Sequence, residues 1–212
     1  MFRNLKKIGI LFIIIMAGIN LAETGFSGAM YSWTDSDGIK HFSNIAPPGH
    51  NDVQIFQEDK FIVPKGHKFK VTRVFDGDTI QVEGSGLSFK IRLVGIDSPE
   101  MGRKKQKNQP YSRQAKEKLI RLADKKNIFI KQYGTGSYNR VLAEVFVNTT
   151  NINLEMVRSG LAEVYQGKPA KGLDTKAYFQ AQKAAKRYTK GMWSQGSAYK
   201  SPRQWRKENP WK

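Results

Sequence analysis

Two acidic motifs and two arginines are the residues of this chain whose types and spacing could do chemistry. They are Asp76, Asp78, Arg92, Asp97, Glu100 and Arg140. Carboxylate oxygens can hold a hard cation, another carboxylate can take a proton from water, and guanidinium groups can bind phosphate oxygens. Metal-assisted attack of water on a phosphodiester requires these groups together, so the set favours a nuclease.

Each acidic motif also has an ordinary structural interpretation when it is taken alone. Asp-Gly is a common hairpin turn, and Asp76-Gly77-Asp78-Thr79 could serve only as one. Asp97-Ser98-Pro99-Glu100 could be a simple loop, in which the fixed φ of Pro99 would hold the two acids in a set relation. The functional interpretation therefore depends on what accompanies the two motifs.

Arg92 lies between the two acidic motifs, on an alternating run that predicts a strand. Phe89, Ile91 and Leu93 would share one face of that strand, so Arg92 would point away from the core. A solvated surface charge is the common interpretation of a lone arginine. An arginine that lies five residues before an acidic loop also fits a phosphate site.

The elements that must position these residues follow from hydrophobic periodicity. Strands are predicted at 68–75, 79–82, 88–96, 127–133 and 141–147. Helices are predicted at 112–123, 153–159 and 174–188, with Ser112 and Asn153 as candidate N-caps of the first two. Five strands with a helix between the third and fourth is the OB-fold order. The predicted fold class is α+β, mainly β: a five-stranded OB-fold barrel with three helices.

A small unit is predicted to precede the barrel. Residues 30–48 predict a β-hairpin module, and 49–66 predict a linker in which Val53 to Phe56 could add a strand. The acidic turn at 35–38 lacks the later glycine and glutamate of a calcium loop, and His41 is interpreted as a hairpin side chain rather than a ligand. The module resembles a short uncharacterised segment found at the N-terminus of exported bacterial proteins, through the pattern Tyr31, Trp33, Asp35, Gly38, Phe42, Ser43 and Pro47.

The amino-acid composition of the chain limits the classes of molecule that it is expected to bind. The chain has 212 residues, of which 39% are hydrophobic, which suffices for a packed core and argues against global disorder. A net charge of +18 favours polyanions, meaning nucleic acid, anionic lipid or acidic cell-wall polymer. No cysteine and only three histidines are present, so a structural zinc site is nearly excluded.

Residues 1–29 are predicted to be a signal peptide. Three basic residues lie among the first seven, and residues 8–19 form an uncharged apolar run that is shorter than a comfortable membrane span. Cleavage sites after Ala22 and after Ala29 are both candidates. We expect export to the periplasm or the exterior, with an uncleaved membrane anchor as the alternative.

Residues 68–194 resemble the thermonuclease (staphylococcal nuclease-like) family. The matching segments, in chain order, are Val74 to Thr79, Phe89 to Glu100, Tyr138 to Ala143, Leu154 to Ala162 and Lys190 to Trp193. Each segment is short, but the ordered set is specific. The resemblance implies a five-stranded OB-fold barrel that cleaves DNA and RNA with one calcium ion, in a domain that spans residues 67–194. The tail that follows, at 195–212, is basic and aromatic by its own composition.

The resemblance also implies roles by position. Asp78 and Asp97 would ligate calcium, helped by the backbone carbonyl of Ser98, although ligands that are all oxygens leave magnesium and manganese open. Glu100 would be the general base, and Asp76 would support the site.

Arg92 and Arg140 would bind the phosphate and stabilise the transition state, as the resemblance implies. Tyr138 and Tyr165 match substrate-contacting tyrosines of the family, whereas Ser137 stands where well-known members carry a lysine. We expect a monomer that needs no protein partner.

A basic loop follows Glu100 and supports the same substrate class. Lys104 and Lys105 lie within it, and no acidic residue occurs between Glu100 and Glu117. Such a loop could neutralise backbone phosphates with little sequence specificity, although a solvated charge run is the ordinary interpretation. A non-catalytic, nucleic-acid-binding OB-fold protein of the cell envelope is the alternative to an enzyme, and an envelope adhesion protein is a third.

Overall fold

The computed structural model describes residues 29–43, 53–57, 62–102 and 106–210. The predicted signal peptide lies outside the described residues except for its last position. Residues 44–48 of the predicted hairpin module, parts of the predicted linker, and both Lys104 and Lys105 also lie outside them. In the described residues, no helix is long and apolar enough to cross a membrane.

The described chain folds into eleven short strands and four α-helices. The strands are β1 (Ala29–Thr34), β2 (Lys40–Ser43), β3 (Gln54–Gln57), β4 (Phe69–Val74), β5 (Thr79–Gly84), β6 (Leu87–Leu93), β7 (Ile96–Asp97), β8 (Asn127–Gly136), β9 (Arg140–Val147), β10 (Thr150–Asn151) and β11 (Glu163–Val164). The helices are α1 (Ser112–Ala123), α2 (Ile152–Arg158), α3 (Lys176–Arg187) and α4 (Pro202–Glu208). Two 3₁₀ segments cover Ser137–Asn139 and Gly191–Ala198.

Five of these strands close into the predicted barrel. β4, β5 and β6 form an antiparallel meander, and β8 pairs antiparallel with both β4 and β9. The parallel pairing of β6 with β9 closes the circle. Alternation places Phe89, Ile91 and Leu93 in the core, while Arg92 between them stays partly exposed. The prediction of a five-stranded OB-fold barrel is confirmed.

The third strand is shorter than the sequence predicts. The prediction ran from 88 to 96, but β6 ends at Leu93 and the chain resumes as the two-residue β7. Gly95 lies between them with a φ of 78°, a left-handed conformation that interrupts an extended strand. The interruption lets β7 leave the barrel and pair with β11, so that Asp97 stands opposite Glu163.

Both predicted N-cap residues are wrong, by one position for α1 and by two positions for α2. Tyr111, in the left-handed region, precedes α1, and Ser112 is already its first helical residue, with a buried hydroxyl that has no partner among the described residues. Asn151 caps α2 through a bond from the Leu154 amide, 3.1 Å long. A fourth helix, α4, which the sequence analysis did not predict, lies in the basic tail.

The N-terminal module is a short antiparallel sheet that extends the barrel. β1 pairs with both β2 and β3, and β2 adds to β6 in a parallel pairing. His41 shares a 2.5 Å hydrogen bond with Asp35, and its ring stacks on Trp33. Both contacts lie within the hairpin and stabilise it. The strand suggested for Val53 to Phe56 corresponds to β3.

Asn153, the residue first expected to be a cap, instead ties α2 to the barrel. It is fully buried, and its amide donates to the carbonyl oxygens of Val94 and Ala143 at 2.9 and 3.0 Å. Its side-chain oxygen accepts from the Val145 amide at 3.0 Å. The bond to Val94 holds the turn that leads from Arg92 to Asp97.

Replacing Asn153 with aspartate is expected to lower the free energy of unfolding by about 3 kcal/mol or more. An ionised carboxylate cannot donate, so it would face two carbonyl oxygens in the core. Urea denaturation at neutral pH measures the change. Asn148→Asp, at an exposed turn, is the matched control, for which we expect less than about 1 kcal/mol. Equal losses in both variants would contradict the role of the buried amide.

Candidate active site

The two acidic motifs meet at one mouth of the barrel. Asp76 and Asp78 lie in the turn between β4 and β5, and Asp97 ends β7. Gly77 permits the approach, because a Cβ there would lie 2.7 Å from the Cβ atoms of both Ala115 and Ser98. The glycine therefore lets the first acidic turn pack directly on α1 and on the second acidic loop.

Arg92 joins the two innermost carboxylates. Its guanidinium pairs with Asp78 Oδ1 and donates from Nη2 to Asp97 Oδ1 at 2.7 Å. Asp78 and Asp97 are only 2% and 1% exposed, so both charges depend on such partners. Asp78 also accepts a 2.7 Å bond from the Ser98 amide, which fixes the second loop against the first.

Asp76 bonds to the backbone of the same turn that carries Asp78. Its Oδ1 accepts a 3.0 Å bond from the Asp78 amide. Burial raises the pKa of Asp76, while the nearby charges of Arg92 and Arg140 oppose that rise. The bond from the Asp78 amide fixes the first acidic turn, and the supporting role of Asp76 stays a prediction.

Glu100 is held beside Asp97 by a residue that sequence reasoning missed. Arg206 of α4 donates from Nη1 to Asp97 Oδ1 at 3.0 Å and from Nη2 to Asp97 Oδ2 at 2.8 Å, and its Nη1 also contacts Glu100 Oε1. Burial raises the pKa of Glu100, and the bond from Arg206 opposes that rise. Burial lowers the pKa of Arg206, but the bonds to both acids outweigh that effect and raise it.

Arg140 is the predicted arginine that stands apart from the acids. Its Nε donates to the Ser137 carbonyl at 3.2 Å, and its guanidinium carbon lies 5.6 Å from the centre of the Tyr138 ring. Within the described residues, no carboxylate lies at ion-pair distance from Arg140. Burial lowers the pKa of its guanidinium, and the charge of Arg92 adds to that effect. An anion entering here would find this guanidinium available.

An open cavity of about 1170 Å³ brings the predicted residues together. Asp76, Asp78, Arg92, Ser98, Glu100, Arg140 and Arg206 line it, together with the predicted substrate-contacting residues Tyr138 and Tyr165. The two tyrosines are 66% and 46% exposed, so their rings are accessible to a large ligand. The structure thus places all but three of the predicted site residues around this cavity. Lys104 and Lys105 lie outside the described residues. Asp97 is not among the lining residues, but it is bonded to Arg92 and Arg206, which are.

The donors around Arg92 suit a hard cation but are few. Asp78 and Asp97 offer buried carboxylate oxygens, which calcium, magnesium and manganese prefer. In the part of the chain that the structure describes, no group of three or more His, Cys, Asp or Glu side chains is arranged to hold a metal ion. A cation here would need further oxygens from backbone, water or substrate. The guanidinium of Arg206 already places a positive charge against Asp97.

Comparison with known proteins gives one family model and several similar proteins. Residues 90–195 match the family model described as Staphylococcal nuclease homologue. The chain is 34% identical to an uncharacterized endonuclease of Haemophilus influenzae over 140 residues, which are 66% of this chain and 72% of that protein. It is 32% identical to a micrococcal nuclease of Shigella flexneri over 149 residues, 65% of this chain and 79% of that protein. A probable endonuclease of Phaeosphaeria nodorum is 31% identical over 123 residues, 55% of this chain and 42% of that protein.

Proposed function

The chain belongs to the staphylococcal nuclease family and is a nuclease, and we propose that it is an exported, calcium-dependent endonuclease that hydrolyses DNA and RNA with little sequence specificity. One observation carries the proposal. Two buried carboxylates, Asp78 and Asp97, share Arg92 at a cavity that Glu100 and Arg140 also line. The net charge of +18 suits a polyanionic substrate.

Asp78 and Asp97 would hold the calcium ion, with the backbone carbonyl of Ser98 as a further oxygen ligand. Calcium, when bound, supplies positive charge that offsets the developing charge on the phosphate. Because the two carboxylates are almost fully buried, they favour a partner of opposite charge over water. Few protein donors are available, so substrate oxygens would complete the ligand set.

Glu100 would act as the general base and take the proton of the attacking water. The support for this role is that Glu100 borders the cavity and shares Arg206 with Asp97. Arg140 would donate to the phosphate oxygens, since it lacks a carboxylate partner in the described residues. Arg92 would hold Asp78 and Asp97 in place and add positive charge to the phosphate side of the site.

The substrate would be bound mainly through its backbone and its base faces. Tyr138 and Tyr165 present accessible rings on which bases of any identity can stack. Lys104 and Lys105 would neutralise neighbouring phosphates without reading sequence. This combination supports cleavage with little preference for sequence and on either type of sugar.

Export and a monomeric state belong to the same proposal. The support for export is the charged and then apolar N-terminal segment, with an uncleaved anchor as the alternative. The alternative of a non-catalytic nucleic-acid-binding protein has no support from the site, because the acids and arginines that hydrolysis would need are all present. A pure binder would have no use for buried acids in a basic protein.

Closed circular DNA and a folded RNA provide the test. Incubation with calcium should nick and then linearise the circle and fragment the RNA, because an endonuclease needs no free end. A chelator should stop both reactions, and excess calcium should restore them, since Asp78 and Asp97 alone offer too few donors to keep the ion. Gel electrophoresis measures the products, with magnesium and manganese as parallel samples. Equal cleavage with chelator and with calcium would contradict metal dependence, and no cleavage under any condition would contradict the proposed activity.

A further inference from the structure

The C-terminal helix α4 reaches into the mouth of the barrel through one side chain. Arg206 contacts Asp97 and Glu100, which precede it by 109 and 106 residues. Its two terminal nitrogens engage both oxygens of Asp97, and one of them also engages Glu100. Such forked, charge-assisted bonds are among the stronger contacts that a side chain can make.

Hydrogen bonds of Tyr199 and Lys200 anchor the segment just before α4 beside the acids that Arg206 contacts. Gln109, which is 3% exposed, accepts from the Glu100 amide at 2.9 Å and donates to the Lys200 carbonyl at 2.8 Å. Tyr199 donates a 2.6 Å bond to Glu163, the cross-strand neighbour of Asp97. The start of the tail is therefore bonded to Gln109 and Glu163, which are the neighbours of the two acids that Arg206 contacts.

Beyond this anchor, α4 is held lightly. It spans seven residues, and Pro202 is its only buried residue. The Arg206 side chain is 35% exposed in its ion pair, so water reaches the guanidinium. A short helix with little apolar burial is marginal by itself. The contacts of Arg206, together with a 2.9 Å bond from Gln106 Nε2 to the Pro210 carbonyl, therefore supply much of what keeps α4 against the barrel.

Arg206 uses the oxygens that the proposed chemistry requires. A cation held by Asp97 needs at least one of its oxygens, and an oxygen of Glu100 that accepts from a guanidinium is less able to take a proton. The same guanidinium engages both oxygens of Asp97 and one oxygen, Oε1, of Glu100. A cation bound to Asp97 would also lie next to the positive charge of Arg206, and the two charges would repel each other.

We propose that α4 is an autoinhibitory strap, in which Arg206 takes the place of the metal ion on Asp97 and engages one oxygen of the general base until calcium displaces it. This inference rests on the proposed function of Asp97 and Glu100. While the metal is absent, the strap supplies the positive charge that the buried acids need. When calcium binds, Arg206 leaves, and α4 swings away around the anchor at Tyr199 and Lys200.

Calcium titration by calorimetry tests the competition. Arg206→Ala should bind calcium about 10- to 100-fold more tightly than the wild-type protein, because the ion no longer displaces bonds to charged groups. Arg203→Ala removes the same charge from an exposed position of α4 and should change the affinity less than threefold. Truncation after Lys200 removes α4 but keeps both anchor bonds, and it should match Arg206→Ala.

Hydrogen exchange of the α4 amides supplies a second measurement without turnover. In the wild-type protein, calcium should speed exchange at residues 203–209, and in Arg206→Ala exchange there should be fast without calcium. Equal calcium affinities for the wild type, Arg206→Ala and the truncated chain would overturn the strap, as would α4 exchange that calcium slows or leaves unchanged. Absence of calcium binding by every variant would overturn the strap and the calcium site together.

Discussion

Replacing Glu100 with glutamine is expected to lower kcat for DNA hydrolysis by about 100- to 10,000-fold, the range that loss of a general base produces. Glutamine keeps the size and the polarity of the side chain but cannot accept a proton from the attacking water. Calcium binding should persist, because Asp78 and Asp97 are unchanged. Single-turnover hydrolysis of a labelled oligonucleotide at saturating calcium measures the chemical step.

Glu163→Gln is the matched control for that variant. Glu163 is also buried beside Asp97, and burial raises its pKa too, but it is bonded to Tyr199 and Gln166. We expect less than a threefold change in kcat, since glutamine can still accept the bond from Tyr199. A similar loss in both variants would show that acid removal near Asp97, rather than loss of a base, lowers activity.

The pH profile gives the Glu100 variant a second readout. Burial raises the pKa of Glu100, and Arg206 opposes that rise. A base works only when ionised, so wild-type activity should fall as the pH drops through that raised pKa, above the ordinary range of a glutamate. Glu100→Gln should lack this acidic limb. A limb that survives in the variant would assign the base to another group.

The barrel could be predicted because its strands follow simple periodicity. Alternate burial on β6 matches the alternation of Phe89, Ile91 and Leu93 in the sequence. The end of that strand could not be predicted, because its apolar pattern continues to Ile96 and only the left-handed conformation of Gly95 interrupts it. Helix starts were misplaced for a related reason: Ser112 and Asn153 have good capping side chains, but their neighbours Tyr111 and Asn151 occupy the cap positions.

The site residues also differ in how well the sequence predicts them, because some lie near their partners in the sequence and one lies far away. The acids at 76–78 and 97–100 and Arg92 follow one another along adjacent strands, so the fold brings together what the sequence already places near. Arg206 lies more than 100 residues from its partners, in a tail whose basic residues resemble one another. Ser201-Pro202 is a helix-start signal, yet nothing in it tells which arginine would face inward. Tertiary packing alone decides that.

The two predicted arginines of the family motif differ in how free they are. Arg92 is committed to Asp78 and Asp97, whereas Arg140 contacts a backbone carbonyl and an aromatic ring. A partly buried guanidinium without a carboxylate partner retains most of its donors for a ligand. We therefore expect Arg140 to meet the charge that develops on the phosphate oxygens in the transition state, as proposed above.

Replacing Arg140 with alanine should lower kcat about 100- to 1,000-fold, with a smaller change in KM, because its bonds would strengthen only as charge develops. Arg140→Lys should recover at most about tenfold of that loss, since an ammonium group keeps the charge but not the planar fork. Arg73→Ala is the control: its guanidinium carbon also lies over a ring, 4.8 Å from the centre of Phe75, but Arg73 does not line the cavity. Steady-state hydrolysis of one oligonucleotide by all three variants separates these effects. If Arg140→Ala raised KM alone, Arg140 would bind substrate without stabilising the transition state, and that role would pass to Arg92, the other arginine to which the resemblance assigns it.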